Sequence, residues 1–338
     1  MRKNIFGLLV LMFLFLFSCA DDKTSIGKER DGMVDFAIKA SIPQEIKTYA
    51  SEDGGATNVD TTIYSLRYIM EAYTKDEGTL AYRGYLTIPD HFTTSVANFN
   101  VHLLAKTYDF VFWADFVLKS APNKDLYYQT CKNLNTDQDD EFFKTDSTLV
   151  GDGLKDIKMV SFVNTTADYG LSNDARDAYF AVLHNIDLST SYQMPNGETV
   201  NLQRPFGKYR LVATDAPKDN GFEQGDSVTI IYTNTEVPYR FNAVNDTIYP
   251  DLMELKTYTA PSSVETLMTV DGTDYQNVYV LAFDYIFVPA GTGSSVSFKA
   301  TAHNIDWDIS SVPVQRNKLT TVIGNFFSGS DNATVVSP

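Results

Sequence analysis

The amino-acid sequence predicts an all-β fold made of two β-sandwich domains in tandem. Apolar and polar residues alternate with a period of two along most of the chain, which is the pattern of half-buried strands. Aromatic residues make up 13% of the 338 residues, and they favour pleated, half-buried surfaces. Turns rich in Gly, Asn, Asp and Pro separate the alternating runs, and no long amphipathic helix interrupts them.

The first residues have the composition of an export signal. Arg2 and Lys3 precede an apolar run from Ile5 to Phe17. A helix of this length spans about 20 Å, which is too short for a bilayer core of about 30 Å. We therefore predict a signal peptide at residues 1–18 and a tether at residues 19–31.

The end of this run resembles the lipobox of bacterial lipoproteins, in the segment Leu16-Phe17-Ser18-Cys19. The resemblance implies that Cys19 carries the lipid and becomes the first residue of an outer-membrane lipoprotein at the cell surface. The alternative is an ordinary signal peptide that is cleaved nearby. The other cysteine, Cys131, is then either buried and inert or available to pair with another chain.

The predicted N-terminal domain covers residues 32–198 and opens with a half-buried strand. In that strand, residues 33–42, one face carries five apolar side chains: Val34, Phe36, Ile38, Ala40 and Ile42. In the next strand Arg67 and Glu71 lie on the face opposite the apolar residues. The further predicted strands of this domain are Thr62–Tyr73, Tyr82–Ile88, Phe99–Lys106, Tyr108–Leu118, Ile157–Val163 and Ala178–Leu183.

The predicted C-terminal domain covers residues 199–338 and follows a turn at Pro195-Asn196-Gly197. Its predicted strands are Tyr209–Ala213, Val228–Thr233, Val278–Val288, Val296–Ala302 and a last group from Leu319 onward. Val278–Val288 is apolar on nearly both faces, which is typical of a central strand. We expect short helices at Val264–Met268 and Asp125–Asn133, and an exposed polar loop at Asn133–Thr148.

The composition argues against several classes of function. The net charge of −16 is unfavourable for nucleic acid, which binds through clusters of Lys and Arg. Two Cys and four His leave little material for a zinc site or a His-based catalytic centre. The acidic string Asp137–Glu141 lacks the Gly of a calcium loop. We therefore predict no metal, no cofactor and no enzymatic activity.

Trp307, beside His303, is either a platform for a sugar ring or a core residue.

Five segments match motifs of one known family, in the expected order along the chain. They are Val111–Asp115, Ala175–Phe180, Leu202–Lys208 (with Gly207 where Ala is usual), Phe283–Pro289 and, most specifically, the stretch Val312–Asn325 (VPVQRNKLTTVIGN). On these segments the chain resembles the fimbrillin family, the type V pilins and fimbrillin-like surface lipoproteins of Bacteroidales. The resemblance implies two transthyretin-like β-sandwich domains, in agreement with the strand pattern.

The resemblance also implies a function as a structural subunit of a fimbria (pilus). In that family a protease cuts behind the first strand, the strand leaves, and a C-terminal strand of the next subunit fills the groove. The corresponding positions here are Lys47 and Thr48 for processing, and Ala333, Val335 and Val336 for the donor strand. The alternative donor segment is Thr320–Phe327, which belongs to the family's own core motif. The implied partners are identical or related subunits in a homopolymer, and the outer membrane through the lipid on Cys19.

The processing site departs from the family pattern, because Lys47 stands near the position where the family carries Arg. An Arg-specific protease would not cut there, whereas a Lys-tolerant one would. An uncleaved chain would be an anchor subunit or a monomeric lipoprotein. The alternative function is a non-polymerising surface lipoprotein or adhesin that binds a glycan or another host or bacterial surface ligand through its loops.

Overall fold

The computed structural model describes most of both predicted domains. The described ranges are 32–43, 59–88, 96–120, 127–129, 132–133, 149–150, 153–159, 171–189, 199–215, 221–233, 237–238, 240–249, 257–328 and 333–336. Within them the regular structure consists of β-strands and two short 3-10 turns, Gly153–Lys155 and Asp174–Arg176. None of the described helical segments has the length and hydropathy of a membrane span.

The described residues contain twenty-two strands in chain order. The first eleven are β1 (Met33–Ser41), β2 (Tyr64–Thr74), β3 (Leu80–Ile88), β4 (Val96–Leu104), β5 (Thr107–Leu118), β6 (Tyr127–Gln129), β7 (Lys132–Asn133), β8 (Leu149–Val150), β9 (Ile157–Met159), β10 (Tyr179–Asp187) and β11 (Thr199–Asn201). The others are β12 (Phe206–Ala213), β13 (Ser227–Tyr232), β14 (Arg240–Asn242), β15 (Thr247–Ile248), β16 (Thr257–Pro261), β17 (Ser263–Val270), β18 (Thr273–Phe287), β19 (Ser294–Ala302), β20 (Ile305–Val314), β21 (Leu319–Gly324) and β22 (Thr334–Val336).

The N-terminal sandwich consists of a three-stranded sheet, β11-β1-β4, over a four-stranded sheet, β10-β5-β2-β3. The strict alternation of burial along β4 shows that its sheet has one face inside and one in solvent. In contrast, β2 and β5 are buried along almost their whole length, so their sheet is covered on both faces.

Burial on both faces places charged residues of β2 in the interior. Arg67 lies directly opposite Asp115 of β5, and Glu71 lies directly opposite Arg83 of β3. Each pair forms a salt bridge with side chains that are at most 2% exposed. The face of β2 that reads as polar in the sequence is therefore a second buried face, on which each charge is neutralised by a cross-strand partner.

The C-terminal sandwich consists of a five-stranded sheet, β17-β18-β12-β21-β22, and a four-stranded sheet, β16-β13-β19-β20. The two sheets meet through aromatic contacts, such as the stacked rings of Tyr209 and Phe298, whose centroids are 4.9 Å apart. β18 lies between β17 and β12, which confirms the prediction of a central strand for Val278–Val288.

A small mixed sheet and a shared core connect the two sandwiches. The sheet β15-β14-β9-β6 joins two strands from each half of the chain. Phe241 of β14 contacts Phe180 of β10 edge to face at 4.9 Å, and Phe206 of β12 contacts Trp113 of β5 in the same way at 6.4 Å. One hydrophobic cluster therefore runs through both halves.

The predicted all-β sandwich fold is confirmed, but two local predictions are wrong. Val264–Met268 is part of strand β17 and not a helix. The described residues of the other predicted helix, Asp125–Asn133, belong to strands β6 and β7. The residues between Asn133 and Leu149, where we expect a loop, lie outside the described residues. Trp307 packs edge-on against Phe326 and donates its indole N–H to the Phe326 carbonyl at 2.7 Å, which favours its role as a packing residue.

Candidate functional site: the first strand and its groove

Strand β1 is paired on both of its edges. It runs antiparallel to β4 over all nine of its residues, from Met33 opposite Leu104 to Ser41 opposite Val96. Its last three residues also pair in parallel with β11, where Ala40 lies opposite Val200. We call the space between β4 and β11 that β1 fills the β1 groove.

The inward face of β1 matches the prediction at four of five positions. Phe36, Ile38 and Ala40, and Ile42 directly after the strand, are at most 8% exposed, whereas Val34 is only partly buried. Asp35, Ala37, Lys39 and Ser41 take the outward face, where Asp35 Oδ1 lies 2.8 Å from Nδ1 of His102. The alternation in the sequence therefore placed the strand with the correct face inward.

The opposite sheet closes the β1 groove with aromatic side chains. The rings of Phe36 and Phe110 lie 5.4 Å apart, and Phe99 of β4 lies 6.3 Å from Phe112. At the other end the backbone N–H of Ile42 donates to the Tyr68 hydroxyl at 3.0 Å. Loss of β1 would therefore uncover an aromatic floor and would leave β4 without its only ladder partner among the described strands.

The groove adjoins the connection between the two sandwiches. After β11, the N–H of Leu202 donates to the Ser41 carbonyl at 2.9 Å, and Gln203 exchanges two backbone hydrogen bonds with Phe180. The next residue, Arg204, binds Asp177 through Nε and Nη2 at 2.7–2.8 Å, and its Nη2 also donates to the Tyr179 hydroxyl. A single stretch of chain therefore contacts both the first strand and the start of the second sandwich.

Three ion pairs lie at this connection, and we call them the junction network: Arg204–Asp177 and Arg176–Asp284, which are buried, and Lys208–Asp174, which is partly buried. Each joins a residue of the segment 174–177 to a residue beyond position 200. Lys208 Nζ lies 2.8 Å from Asp174 Oδ1, and Tyr285 donates its hydroxyl to the same oxygen at 2.9 Å. The carboxylate of Asp284 accepts from Arg176 and from the Tyr232 hydroxyl, which in turn lies 2.7 Å from the Tyr209 hydroxyl.

Burial has the largest effect on the pKa values of two residues of the junction network, Asp284 and Lys208. Burial raises the pKa of Asp284, although Arg176 and the Tyr232 hydroxyl oppose this change. Burial likewise lowers the pKa of Lys208, against the attraction of Asp174. These shifts show that desolvation outweighs pairing at both sites. Every charge of the network is already satisfied by a fixed protein partner, which suits a structural role better than a catalytic one.

The charged residues of this network lie in or next to the segments that resemble the family motifs, but the sequence alone does not show that they pair with one another. The available signal was the presence of charged residues inside otherwise apolar runs, in Ala175–Phe180 and in Leu202–Lys208. Within the described residues, no group of three or more His, Cys, Asp or Glu side chains has the arrangement of a metal site.

The structure places the candidate donor residues in the second sandwich, away from the β1 groove. Val335 and Val336 belong to β22, which pairs antiparallel with β21 through Val322 opposite Val335. Val335 is 42% exposed, and Ala333 precedes the strand in an exposed position. The three-residue β22 is thus a short edge strand of its own chain.

The model of a family of unknown function, DUF6562, matches residues 28–338. The chain belongs to this family. No curated protein matches it. The DUF6562 match begins before β1 and extends through β22, so it includes the β1 groove, the junction network and the candidate donor residues. The other predicted site residues, Cys19, Lys47 and Thr48, lie outside the described residues and stay predictions.

Solved structures similar to this DUF6562 protein include two fimbrial proteins and a candidate polysaccharide-binding protein. The tip fimbrial protein Mfa3 from Porphyromonas gingivalis with C-terminal truncation has 13% identity and a TM-score of 0.40, over 90% of this chain and 98% of that chain. A fimbrial assembly protein from Parabacteroides distasonis has 9% identity and a TM-score of 0.39, over 90% and 100%. A candidate polysaccharide-binding protein (DUF1812) from Bacteroides thetaiotaomicron has 13% identity and a TM-score of 0.46, over 89% and 95%. At these levels the likeness concerns the fold alone.

Proposed function

We propose that this DUF6562 protein is a structural subunit of a cell-surface fimbria, and that its neighbours join it by strand exchange at the β1 groove. The observation that carries the proposal is β1 itself. It is the first of the described strands, buries one apolar face, and separates two strands that would both lose a partner with it. Open edges of this kind accept an added strand.

The energy of this exchange can be estimated from the inward face of β1. Burial of an apolar side chain contributes roughly 1.5–3 kcal/mol, so removal of the strand leaves on the order of 10 kcal/mol of burial unmet. Ordering an incoming strand costs about 1–2 kcal/mol per residue, which offsets much of this gain. The incoming strand must therefore also form the backbone ladders with β4 and β11, and slow dissociation is expected to matter more than extreme affinity.

We propose that processing occurs after Lys47, so that the mature subunit begins at Thr48. β1 ends at Ser41 and β2 begins at Tyr64, so a cut at this position falls between the two strands and divides neither of them. Lipid on Cys19 would hold the unprocessed chain at the outer membrane. Other fimbrial subunits would be its partners, without nucleic acid, metal or cofactor.

The pairing of β22 within its own sheet supports a second candidate function. A chain whose C-terminal strand stays paired with β21 would not donate it and would not extend a polymer. Such a chain would be a non-polymerising surface lipoprotein or adhesin, which binds a glycan or a host or bacterial surface ligand through loops such as residues 133–148.

N-terminal sequencing of protein sheared from the cell surface separates these two functions, together with gel electrophoresis of samples that are not boiled. A start at Thr48 with a heat-sensitive ladder of bands supports the fimbrial subunit. Lys47→Gln should abolish the ladder, whereas the control Lys39→Gln, on the outward face of β1, should leave it unchanged. A lipidated start at Cys19 with monomer only would refute the polymerising role.

A further inference from the structure

The inward face of β1 alternates in side-chain size in a specific order. Large side chains occupy positions 36, 38 and 42, and the small Ala40 lies between the last two. Ala40 is completely buried, with Ala97 of β4 and Val200 of β11 directly beside it in the ladders. Because protein interiors are close-packed, a larger side chain at this position must displace its neighbours.

The two ends of the groove also differ in chemistry. At the start, Phe36 lies against Phe110, and the nearby pair Phe99 and Phe112 extends this aromatic surface. At the other end, the Tyr68 hydroxyl accepts the backbone N–H of Ile42 and marks where the strand stops lying in the groove. An incoming strand therefore meets an aromatic surface, then the narrow position that Ala40 fills, and then a hydrogen-bond acceptor. A shift of the strand by two residues would place a large side chain at the position of Ala40.

We infer that the β1 groove selects its occupant by sequence, and that it takes a strand of the pattern large-x-large-x-small-x-large from a polypeptide other than the C-terminal segment of a second copy. This inference rests on the proposed strand exchange. It identifies the partner by chemistry, as an extended segment whose inward-facing residues follow a fixed order. The first inward residue is aromatic or large and aliphatic, and the third inward residue is Ala or Gly.

The candidate donor residues of this chain do not fit that pattern. Ala333 and Val335 share one face of the strand, and Val336 lies on the other. One face therefore offers two apolar residues, where β1 buries four. No frame of residues 327–338 places side chains in the order large, large, small, large on one face of a strand.

A displacement assay on the full folded chain tests the inference. A recognition site for a sequence-specific protease is placed within residues 47–58, between β1 and β2, and is cut after folding. β1 then stays bound only through the groove. Labelled peptides are added in urea below the unfolding midpoint, and their binding is followed by fluorescence anisotropy. The peptides are residues 32–43, the same peptide with Ala40→Leu, the same peptide with Ala37→Leu, and residues 327–338.

The wild-type peptide is expected to replace β1, and so is the Ala37→Leu control, whose change lies on the outward face. Ala40→Leu should weaken binding by at least about tenfold, since overpacking of a close-packed site costs more than about 1.4 kcal/mol. The peptide of residues 327–338 should not displace β1 even at a concentration roughly 100-fold higher than that of the wild-type peptide. Equal binding of the Ala40→Leu peptide would overturn the size selection, and displacement by residues 327–338 would overturn the exclusion of a second copy. If not even the wild-type peptide enters while circular dichroism shows a folded protein, the proposed strand exchange itself is refuted.

Discussion

Replacing Asp284 by Asn is expected to destabilise the protein by about 3–5 kcal/mol. Asp284 is completely buried, and its carboxylate accepts from Arg176 of the first half of the chain and from the Tyr232 hydroxyl of the second. Asn has almost the same shape, so the substitution leaves no cavity. It leaves the guanidinium of Arg176, 2% exposed, without its buried counter-charge, and this is the costly event.

Urea unfolding, followed by circular dichroism and tryptophan fluorescence, measures this loss. At about 2–4 °C per kcal/mol, thermal unfolding should occur at least about 6 °C lower than in the wild type. Arg176→Met alone should cost a similar amount. The double variant Arg176→Met, Asp284→Asn should lose less stability than the two single variants lose together, because both charges of the pair are then removed.

A matched surface pair provides the control. Asp306 pairs with Lys299 across β19 and β20, with half of the Asp306 side chain in solvent. Asp306→Asn should leave the unfolding midpoint almost unchanged, since solvent screens exposed pairs. A loss below about 1 kcal/mol for Asp284→Asn, or strict additivity in the double variant, would contradict the view that the junction network joins the two sandwiches.

Three further changes test other parts of the structure. Ile38→Ala should cost about 2–5 kcal/mol in urea unfolding, because it removes a fully buried side chain of β1, whereas Lys39→Ala beside it should change stability by less than about 0.5 kcal/mol. Gly207→Ala should cost about 1–3 kcal/mol, because a Cβ at this position would lie 2.5 Å from the Gln315 carbonyl oxygen, and an unchanged midpoint would contradict this close approach. Burial raises the pKa of Glu265, although the positive charges of Arg210 and Lys208 oppose this change. The contribution of Glu265 to the free energy of unfolding is therefore present below about pH 4 and is lost as the pH rises through the raised pKa. Glu265→Gln should flatten the pH dependence of the unfolding free energy in that range, and an unaltered profile would rule out this source.

The sequence predicts the bounds of several strands to within two residues, including those of β5, which is buried on both faces. β1 and β19 alternate regularly between buried and partly exposed residues, and the predicted strands coincide with them within two residues. In β17, Val264, Leu267 and Met268 have the spacing of one helical face, which favours a helix. Pairing with β18 decides the outcome there, because tertiary context overrides a short local pattern.

The buried charges could not be predicted, because their partners are distant in sequence. Arg176 and Asp284 are separated by 108 residues, and Arg67 and Asp115 by 48. In a single sequence, such residues look like the polar face of a strand. Only the register of the sheets shows that Arg67 lies opposite Asp115, and therefore that both faces of β2 are inside.

The β1 groove and the junction network share one stretch of chain, and this has a consequence for assembly. β11 pairs with β1, and the residues directly after it carry the hydrogen bond from Leu202 to Ser41 and the ion pair between Arg204 and Asp177. An empty groove would remove the strand partner of β11 just before this ion pair. A strand that enters the groove would restore that pairing and would hold the connection between the sandwiches in place. In the proposed fimbria, filling of the groove would therefore also stiffen the subunit.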